Sequence, residues 1–330
     1  MLIENWVVRW GMIGCGDVAE VKSGPGFQKA LGSSLVAVHR RDVVKANEYA
    51  RRHTVARVHN TADELIADPG VDAVYIATPP SSHCDLALRV AAAGKPCLVE
   101  KPMAMNHEEC LRMSEAFRLR DLPLWVAFYR RGLERFLVAR RLLTDGAIGQ
   151  VTSVDITVSD ELATGERAGA WRFDPAIAGA GLFFDLGSHC LDLVDFLVGE
   201  IEDIHGFAIN TGGRYATEDV TTAAFVVRGG VVGTGVWNFN AGETADGIRV
   251  VGTAGRLHVP VFHDGDLVCV TSGREQIYPV RNPPHVHQPL IQSIVDELHG
   301  RGRCESRGDN GARAAWALDR CVAGYYAGAN

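Results

Sequence analysis

Asp185 and His189 stand four residues apart in Gly179-Ala180-Gly181-Leu182-Phe183-Phe184-Asp185-Leu186-Gly187-Ser188-His189, an otherwise apolar run. If the run is helical, that spacing puts a carboxylate and an imidazole on one face, about one turn apart. Leu191, Leu193, Val194, Phe196 and Leu197 follow with the spacing of a buried helix face. Two titratable groups at the edge of a core suit proton transfer to or from a small substrate. The same residues also fit a plainer arrangement, an acid near a helix start and a hydrogen-bonded core histidine.

A second group of residues suits binding. Val7-Val8-Arg9-Trp10-Gly11-Met12-Ile13 is a short strand-like run that meets Gly14-Cys15-Gly16-Asp17-Val18-Ala19, the G-x-G-x-x-A form of a dinucleotide fingerprint. Gly14 permits a tight turn, Gly16 lets backbone approach a pyrophosphate, and Ala19 lets a helix pack on the strand. Backbone N–H groups of Cys15, Asp17 and Val18 are then available to the phosphates. Ser34-Leu35-Val36-Ala37-Val38 follows as a second strand, and Lys22-Ser23-Gly24-Pro25-Gly26 should distort the helix between them. The second strand ends in His39-Arg40-Arg41-Asp42. An acid directly at that end favours NAD; here a histidine and two arginines come first, which favours the 2′-phosphate of NADP. A solvated charge cluster on a loop is the alternative.

Further strands are expected at 71–77 and 96–99 and from 124 to 128, with helices at 62–67 (capped by Thr61), 83–93 and 108–120. Strands alternating with helices imply a parallel, doubly wound sheet, an α/β Rossmann domain over residues 1–125. Ligands sit at the carboxyl ends of such strands. Gly14, Thr78-Pro79-Pro80, Glu100-Lys101-Pro102 and Tyr129-Arg130-Arg131 all fall there. Lys101 also fits a surface lysine, and Tyr129-Arg130-Arg131 a solvated helix start.

After about residue 150 the texture changes. Strand-like runs at 151–158, 203–209, 219–227, 231–239, 246–252, 255–261 and 267–271 are separated by short turns, many rich in glycine, and a last helix covers 312–326. The expectation is an α+β domain, 126–330, on a mostly antiparallel open sheet. Few helices remain to cover both faces, so one face should be buried by a second copy, giving a homodimer or homotetramer. Ala223, Phe225 and Val227, and Val232, Thr234 and Val236, alternate along two strands and could serve either face.

Lys and Arg number 33 against 40 Asp and Glu, a net charge of −7 without long runs of one sign, which argues against nucleic acid or an anionic membrane as partner. No apolar stretch approaches ~18 residues, so no membrane-crossing helix is expected. A strand beginning near residue 6 leaves no room for a signal peptide, and a cytoplasmic location is expected. Eight cysteines without a C-x-x-C pair read as reduced, mostly buried thiols, and Cys15 should pack in the glycine turn without a catalytic role. His285-x-His287 is half a metal site with no third ligand at a recognisable spacing, so no metal is expected; His287 in a proline-flanked loop is instead a candidate substrate contact.

The glycine fingerprint, Thr78-Pro79-Pro80, Glu100-Lys101-Pro102 and Asp185-x-x-x-His189, in this order over essentially the whole chain, resemble the glucose–fructose oxidoreductase and inositol dehydrogenase family, Gfo/Idh/MocA. Within it the chain looks most similar to the NADP-linked sugar and diol dehydrogenases. The resemblance implies reversible hydride transfer between a nicotinamide and a carbinol carbon of a sugar, sugar derivative or diol. It makes Lys101, Asp185 and His189 the catalytic group. His189 becomes the general acid/base; Lys101 steers its proton and favours charge on the reacting oxygen; Asp185 orients the substrate hydroxyl or the imidazole. It places Glu100 and His83 near the nicotinamide ribose and ring, and Trp171 and Arg172 near the cofactor, although Trp171 also fits a core residue. Tyr129, Arg130 and His287 join the substrate contacts. The rival is a nicotinamide-binding sensor without turnover, which the retention of Lys101, Asp185 and His189 together disfavours.

Overall fold

A computed structural model of the protein describes residues 7–165 and 170–327. The chain divides into two compact units, Met1–Leu133 with Pro283–Ala312, and Glu134–Asn282 with Arg313–Asn330. These units differ from the expected single cut after residue 125: the first ends at Leu133, and residues 283–312 return to it.

In the first unit β1 (Val8–Ile13), β2 (Ser33–His39), β3 (Arg57–His59), β4 (Ala73–Ile76), β5 (Cys97–Val99) and β6 (Leu124–Val126) form one sheet in the order β3-β2-β1-β4-β5-β6. Every pair is parallel. Helices α1 (Gly24–Lys29), α2 (Val43–Arg52), α3 (Ala62–Ala67), α4 (His83–Ala92) and α5 (His107–Arg118) make the crossovers. The strand order reverses between β1 and β4, where a doubly wound sheet opens its ligand crevice. Strand β3 and helix α2 are not among the expected elements; Arg57-Val58-His59 is too short to carry a period. The distortion expected after the fingerprint is present. Ala19–Ser23 forms a π-helical turn, and α1 then starts with Pro25 in its first turn. Thr61 caps α3 in a capping box with Glu64.

In the second unit α6 (Glu134–Thr144) leads into β7 (Val151–Ser159). A short helix α7 (Pro175–Ala178), a π-helical turn Phe183–Gly187 and α8 (Ser188–Leu197) follow. Then come β8 (Ile201–Ile209), β9 (Val220–Val227), β10 (Val231–Asn238), β11 (Ala245–Gly252), β12 (Gly255–Val259), β13 (Leu267–Thr271) and β14 (Arg274–Tyr278). The eight strands pair in the order β14-β13-β12-β11-β7-β10-β9-β8, all antiparallel except β7 with β10. Strand β14 is largely exposed and begins Arg274-Glu275-Gln276, so it carries no apolar signal. The two apolar sets noted in the sequence point to opposite faces. Ala223, Phe225 and Val227 are buried with Trp237, whose ring meets Phe183 edge to face at 4.7 Å. Val232, Thr234 and Val236 are exposed, beside Val226, Phe207 and Ile209.

The expectation of no membrane-length apolar run needs correcting. Pro175–Leu197 spans 23 residues with an 18-residue window of mean hydropathy 1.3, enough to cross a membrane by length and composition, but 72% of that window is buried within the protein. It is the core helix of the second unit. Its interruptions by Gly179, Gly181, Asp185 and Gly187 are why it does not stand out as a continuous apolar stretch.

The last elements are α9 (Gln288–Leu298), packed against α1 in the first unit, and α10 (Gly308–Ala327). Between them Ser306 and Arg307 lie along β6, the edge of the first sheet: Val126 N–H donates to the Ser306 carbonyl (3.3 Å), and the Ser306 hydroxyl donates to the Val126 carbonyl (2.7 Å). All eight cysteines are buried.

Candidate active site

The fingerprint turn is shaped by two glycines with different needs. Gly14 has φ +95°, and a Cβ there would lie 2.8 Å from the Ala77 carbonyl group and the Thr78 methyl, so the approach of β1 to the β4 end demands glycine. A Cβ at Gly16 would meet no protein atom within 4 Å. Packing of the protein itself therefore does not require glycine at 16, whereas backbone approach to a pyrophosphate does. Cys15 is buried, and burial pushes its thiol up to about 11, which suits packing and not nucleophilic chemistry. Asp17 is exposed and Val18 half-buried beside the turn.

The β2 end splits its expected cluster. The Arg40 guanidinium donates to the Cys15 carbonyl at 2.9 Å, which fixes a positive charge beside the fingerprint. Arg41 is exposed. Asp42 accepts from the Lys45 N–H (3.1 Å) and caps α2, so its carboxylate is occupied there. His39 is buried, with Nδ1 3.1 Å from the His59 carbonyl, because β3 lies alongside β2.

At the ends of β4 and β5, Thr78-Pro79-Pro80 and Glu100-Lys101-Pro102 face the same switch point, and the Lys101–Pro102 bond is cis. His83, expected beside the nicotinamide, is wholly buried and braces the two loops: Nε2 lies 2.7 Å from the Thr78 carbonyl and Nδ1 3.0 Å from the Pro102 carbonyl. Burial holds its pKa below the usual histidine value. The Glu100 carboxylate is also buried. The Tyr75 hydroxyl donates to Oε1 at 2.5 Å, and the Lys101 N–H donates to Oε2 at 3.1 Å. Burial raises the Glu100 pKa, against the donors and the charges of Lys101 and Lys22.

His287 belongs to this unit. It precedes α9, is 2% exposed, stacks on the Tyr129 ring at 4.6 Å, and has Nδ1 3.8 Å from Glu100 Oε1. Burial, then Lys22, Lys101 and Arg130, push its pKa down to about 3, so it is neutral at physiological pH. Tyr129 and Arg130 are buried, with the guanidinium 4.8 Å from the Tyr129 ring centroid. Sequence reasoning missed Tyr75, which looks like one more apolar strand residue, and Lys22, which looks only like part of a helix breaker.

In the second unit Asp185 sits in the π-helical turn and His189 in the first turn of α8. The sequence spacing assumed one uniform α-helix; the i→i+5 turn changes the angle between them. Asp185 pairs with Arg172, Nε to Oδ2 at 3.2 Å, and Arg172 lies 4.5 Å from the centroid of the Trp171 ring, which is 36% exposed. His189 is 3% exposed and meets the Phe262 ring edge to face at 6.1 Å. The Phe262 loop is clamped from two sides. One Asp246 oxygen accepts from the N–H groups of Val261, Phe262 and His263 at 3.0, 2.7 and 2.9 Å. Buried Arg135 donates to the Pro260 and His263 carbonyls at 3.3 and 3.0 Å. These supports left no sequence signal. Among the described residues no group of three or more His, Cys, Asp or Glu is placed to hold a metal ion.

A doubly wound sheet with a glycine turn at its switch point defines a dinucleotide-binding Rossmann protein. Residues 8–128 match a family model described as an oxidoreductase family with an NAD-binding Rossmann fold, and residues 136–258 match the GFO/IDH/MocA C-terminal domain. The chain belongs to the Gfo/Idh/MocA oxidoreductase family. It is 38% identical over 291 residues to oxidoreductase P35 of Formosa agariphila, covering 87% of this chain and 90% of that one. It is 28% identical over 280 residues to the trans-1,2-dihydrobenzene-1,2-diol dehydrogenase of Bos taurus, covering 84% and 81%. A levoglucosan dehydrogenase solved with NADH and levoglucosan has the same fold, with TM-score 0.86, 22% identity and 97% of each chain covered.

Proposed function

We propose that the protein is an NADP-preferring dehydrogenase or reductase acting on a carbinol or carbonyl carbon of a sugar, sugar derivative or diol. Dihydrodiol dehydrogenase among the relatives, and the sugar-bound structural neighbour, support the substrate class. The observation that carries the reading is the fingerprint itself: Gly16 is open to a ligand and to nothing in the protein, with Arg40 anchored beside it. The Gly14–Val18 turn, Arg40, Arg41 and the Thr78–Pro80 loop would hold the dinucleotide, with Glu100, Lys101, Trp171 and Arg172 toward its nicotinamide half.

A bound nicotinamide supplies the hydride acceptor for oxidation, or the donor for reduction. His189 takes the hydroxyl proton as the substrate is oxidised and returns it in the reverse direction. The Lys101 ammonium stabilises negative charge on the reacting oxygen. Asp185, held by Arg172, orients the hydroxyl. Tyr129, Arg130 and neutral His287 are proposed as substrate contacts. His83 and His39 support the cofactor loops from behind.

The test is nicotinamide absorbance with NADP and with NAD over a panel of sugars, anhydrosugars and diols. Turnover with NADP on at least one member is expected. Tight cofactor binding with no turnover on any would favour the sensor. A cytoplasmic homo-oligomer completes the proposal: Phe207 is 82% and Val232 54% exposed on one face of the second sheet. Light scattering at micromolar concentration is expected to give a dimer or tetramer mass, and Phe207→Asp to lower it.

A further inference from the structure

We propose that Glu218 is a positioning residue for Asp185. The inference rests on the reading of Asp185 as part of the catalytic group. Glu218 is 1% exposed and stands just before β9. Its two carboxylate oxygens both accept from the Gly181 N–H, at 2.9 and 3.1 Å. The Tyr326 hydroxyl, from the end of α10, donates to Oε2 at 2.6 Å. Gly181 lies two residues before the π-helical turn that carries Asp185, and its carbonyl accepts from the Phe184 N–H at 3.0 Å. A Cβ at 181 would lie 2.7 Å from the Glu218 carbonyl oxygen and 2.9 Å from Oε1. Only glycine permits this approach, so the acid and the turn fit each other closely.

The same connection reaches the partner of Asp185. Residues 210–219 join β8 to β9, and Tyr215 within them packs on Phe173 with ring centroids 4.3 Å apart. Phe173 follows Arg172, which pairs with Asp185. One connection therefore touches Phe173, the neighbour of Arg172, through Tyr215, and Gly181, four residues before Asp185, through Glu218. It is itself tied down. Asn210 Nδ2 donates to the Tyr215 and Thr217 carbonyls (2.7 and 2.6 Å), and the Tyr325 hydroxyl donates to the Ala216 carbonyl (2.8 Å). Asp219 accepts from the Thr211 and Gly212 N–H groups at 2.8 and 2.7 Å.

The titratable groups around Glu218 are Tyr326 and Tyr325 on α10 and Asp219 on its own segment. Burial pushes the Glu218 carboxyl up to about 7, against the donors from Tyr326 and Gly181.

The experiment measures turnover, cofactor affinity and amide hydrogen exchange on the full chain for Glu218→Ala, Glu218→Gln, Tyr326→Phe, Asp185→Asn and the Glu218→Ala/Asp185→Asn double variant. Glu218→Ala is expected to lower kcat by about ten- to hundredfold with cofactor Kd unchanged, the size of effect that a small displacement of a catalytic group produces. Glu218→Gln keeps an oxygen for the Gly181 N–H and should restore most of the loss. Exchange across 179–187 should quicken in the alanine variant and not in the glutamine one. The loss should vanish when Asp185 is already Asn. An equal loss in the Asp185→Asn background, or unchanged exchange across 179–187, would overturn the proposal. If Glu218→Ala does not fold, Tyr326→Phe removes one donor from the same carboxylate, and its exchange and its cycle with Asp185→Asn give the same decision. Full turnover in Asp185→Asn alone would overturn both the catalytic reading and the proposal, and is distinct because Glu218 is then intact.

Discussion

Each unit buries one glutamate against a tyrosine hydroxyl, and the two pairs are built in opposite ways. Tyr75 lies on β4 and Glu100 directly follows β5, in a parallel ladder where Ile76 pairs with Val99. The ladder brings their chain segments together at its end, and Lys101 and Lys22 lend the carboxylate positive charge. Glu218, Gly181 and Tyr326 come from three segments far apart in sequence, with Asp219 as an unfavourable neighbour. The first pair follows from the regular sheet; the second depends on loops meeting. The proposed cofactor-binding residues are placed by repeating backbone geometry, whereas the surroundings proposed for Asp185 are built from non-local contacts.

The sharpest way to break that contrast is to damage each unit separately. Gly16→Val should abolish cofactor binding in titration calorimetry while leaving the fold intact, since a Cβ there meets no protein atom within 4 Å. His189→Ala should do the reverse, keeping cofactor affinity while losing ~10²–10⁴ in turnover. Loss of cofactor binding in His189→Ala, or retention of it in Gly16→Val, would remove the division of labour.

A smaller effect separates the two glutamates. The Glu218 pKa is raised from 4.5 to about 7, so the folded state favours the protonated form. The stability it contributes is fully present below pH 4.5 and is lost as pH rises through about 7. That loss amounts to roughly 3 kcal/mol. Chemical denaturation between those pH values should show stability falling, and Glu218→Gln should flatten the fall. A slope unaltered in Glu218→Gln would assign it to other groups, the raised Glu100 carboxyl first among them.

The smallest expected change concerns cofactor choice. One charge-assisted hydrogen bond contributes ~1.5–3 kcal/mol, roughly a tenfold to hundredfold preference for NADP. Arg40→Ser should remove that preference. Equal catalytic efficiency with both cofactors in the unaltered protein would reduce Arg40 to a brace for the Cys15 carbonyl.

The contrast also explains what could be read from the sequence. The places of Gly14, Gly16, Thr78 and Lys101 just past strand ends were legible because an apolar strand stops where such residues begin. The alternating residues of β9 and β10 were legible as strands, but their faces were not, because Val232 and Phe225 are equally apolar and only packing against Phe183 and Trp237 decides. The uniform helix expected from Asp185 to His189 missed the π-helical turn, where a Cβ at Gly187 would lie 2.5 Å from the Phe183 ring. Nor does any local pattern announce His287 behind Glu100, or Glu218 beneath Gly181: each contact joins segments that no period relates.

The return of residues 283–312 to the first unit sets an order of events during synthesis. The ribosome releases every strand of the second sheet before it makes Ser306 and Arg307, which line the β6 edge. Until then that edge offers unpaired backbone groups to any other strand, a recognised route to aggregation in nascent chains. A cofactor-binding fragment ending at Leu133 inherits the same exposure for good, so a soluble minimal version of the first unit has to carry Pro283–Ala312 joined back to it.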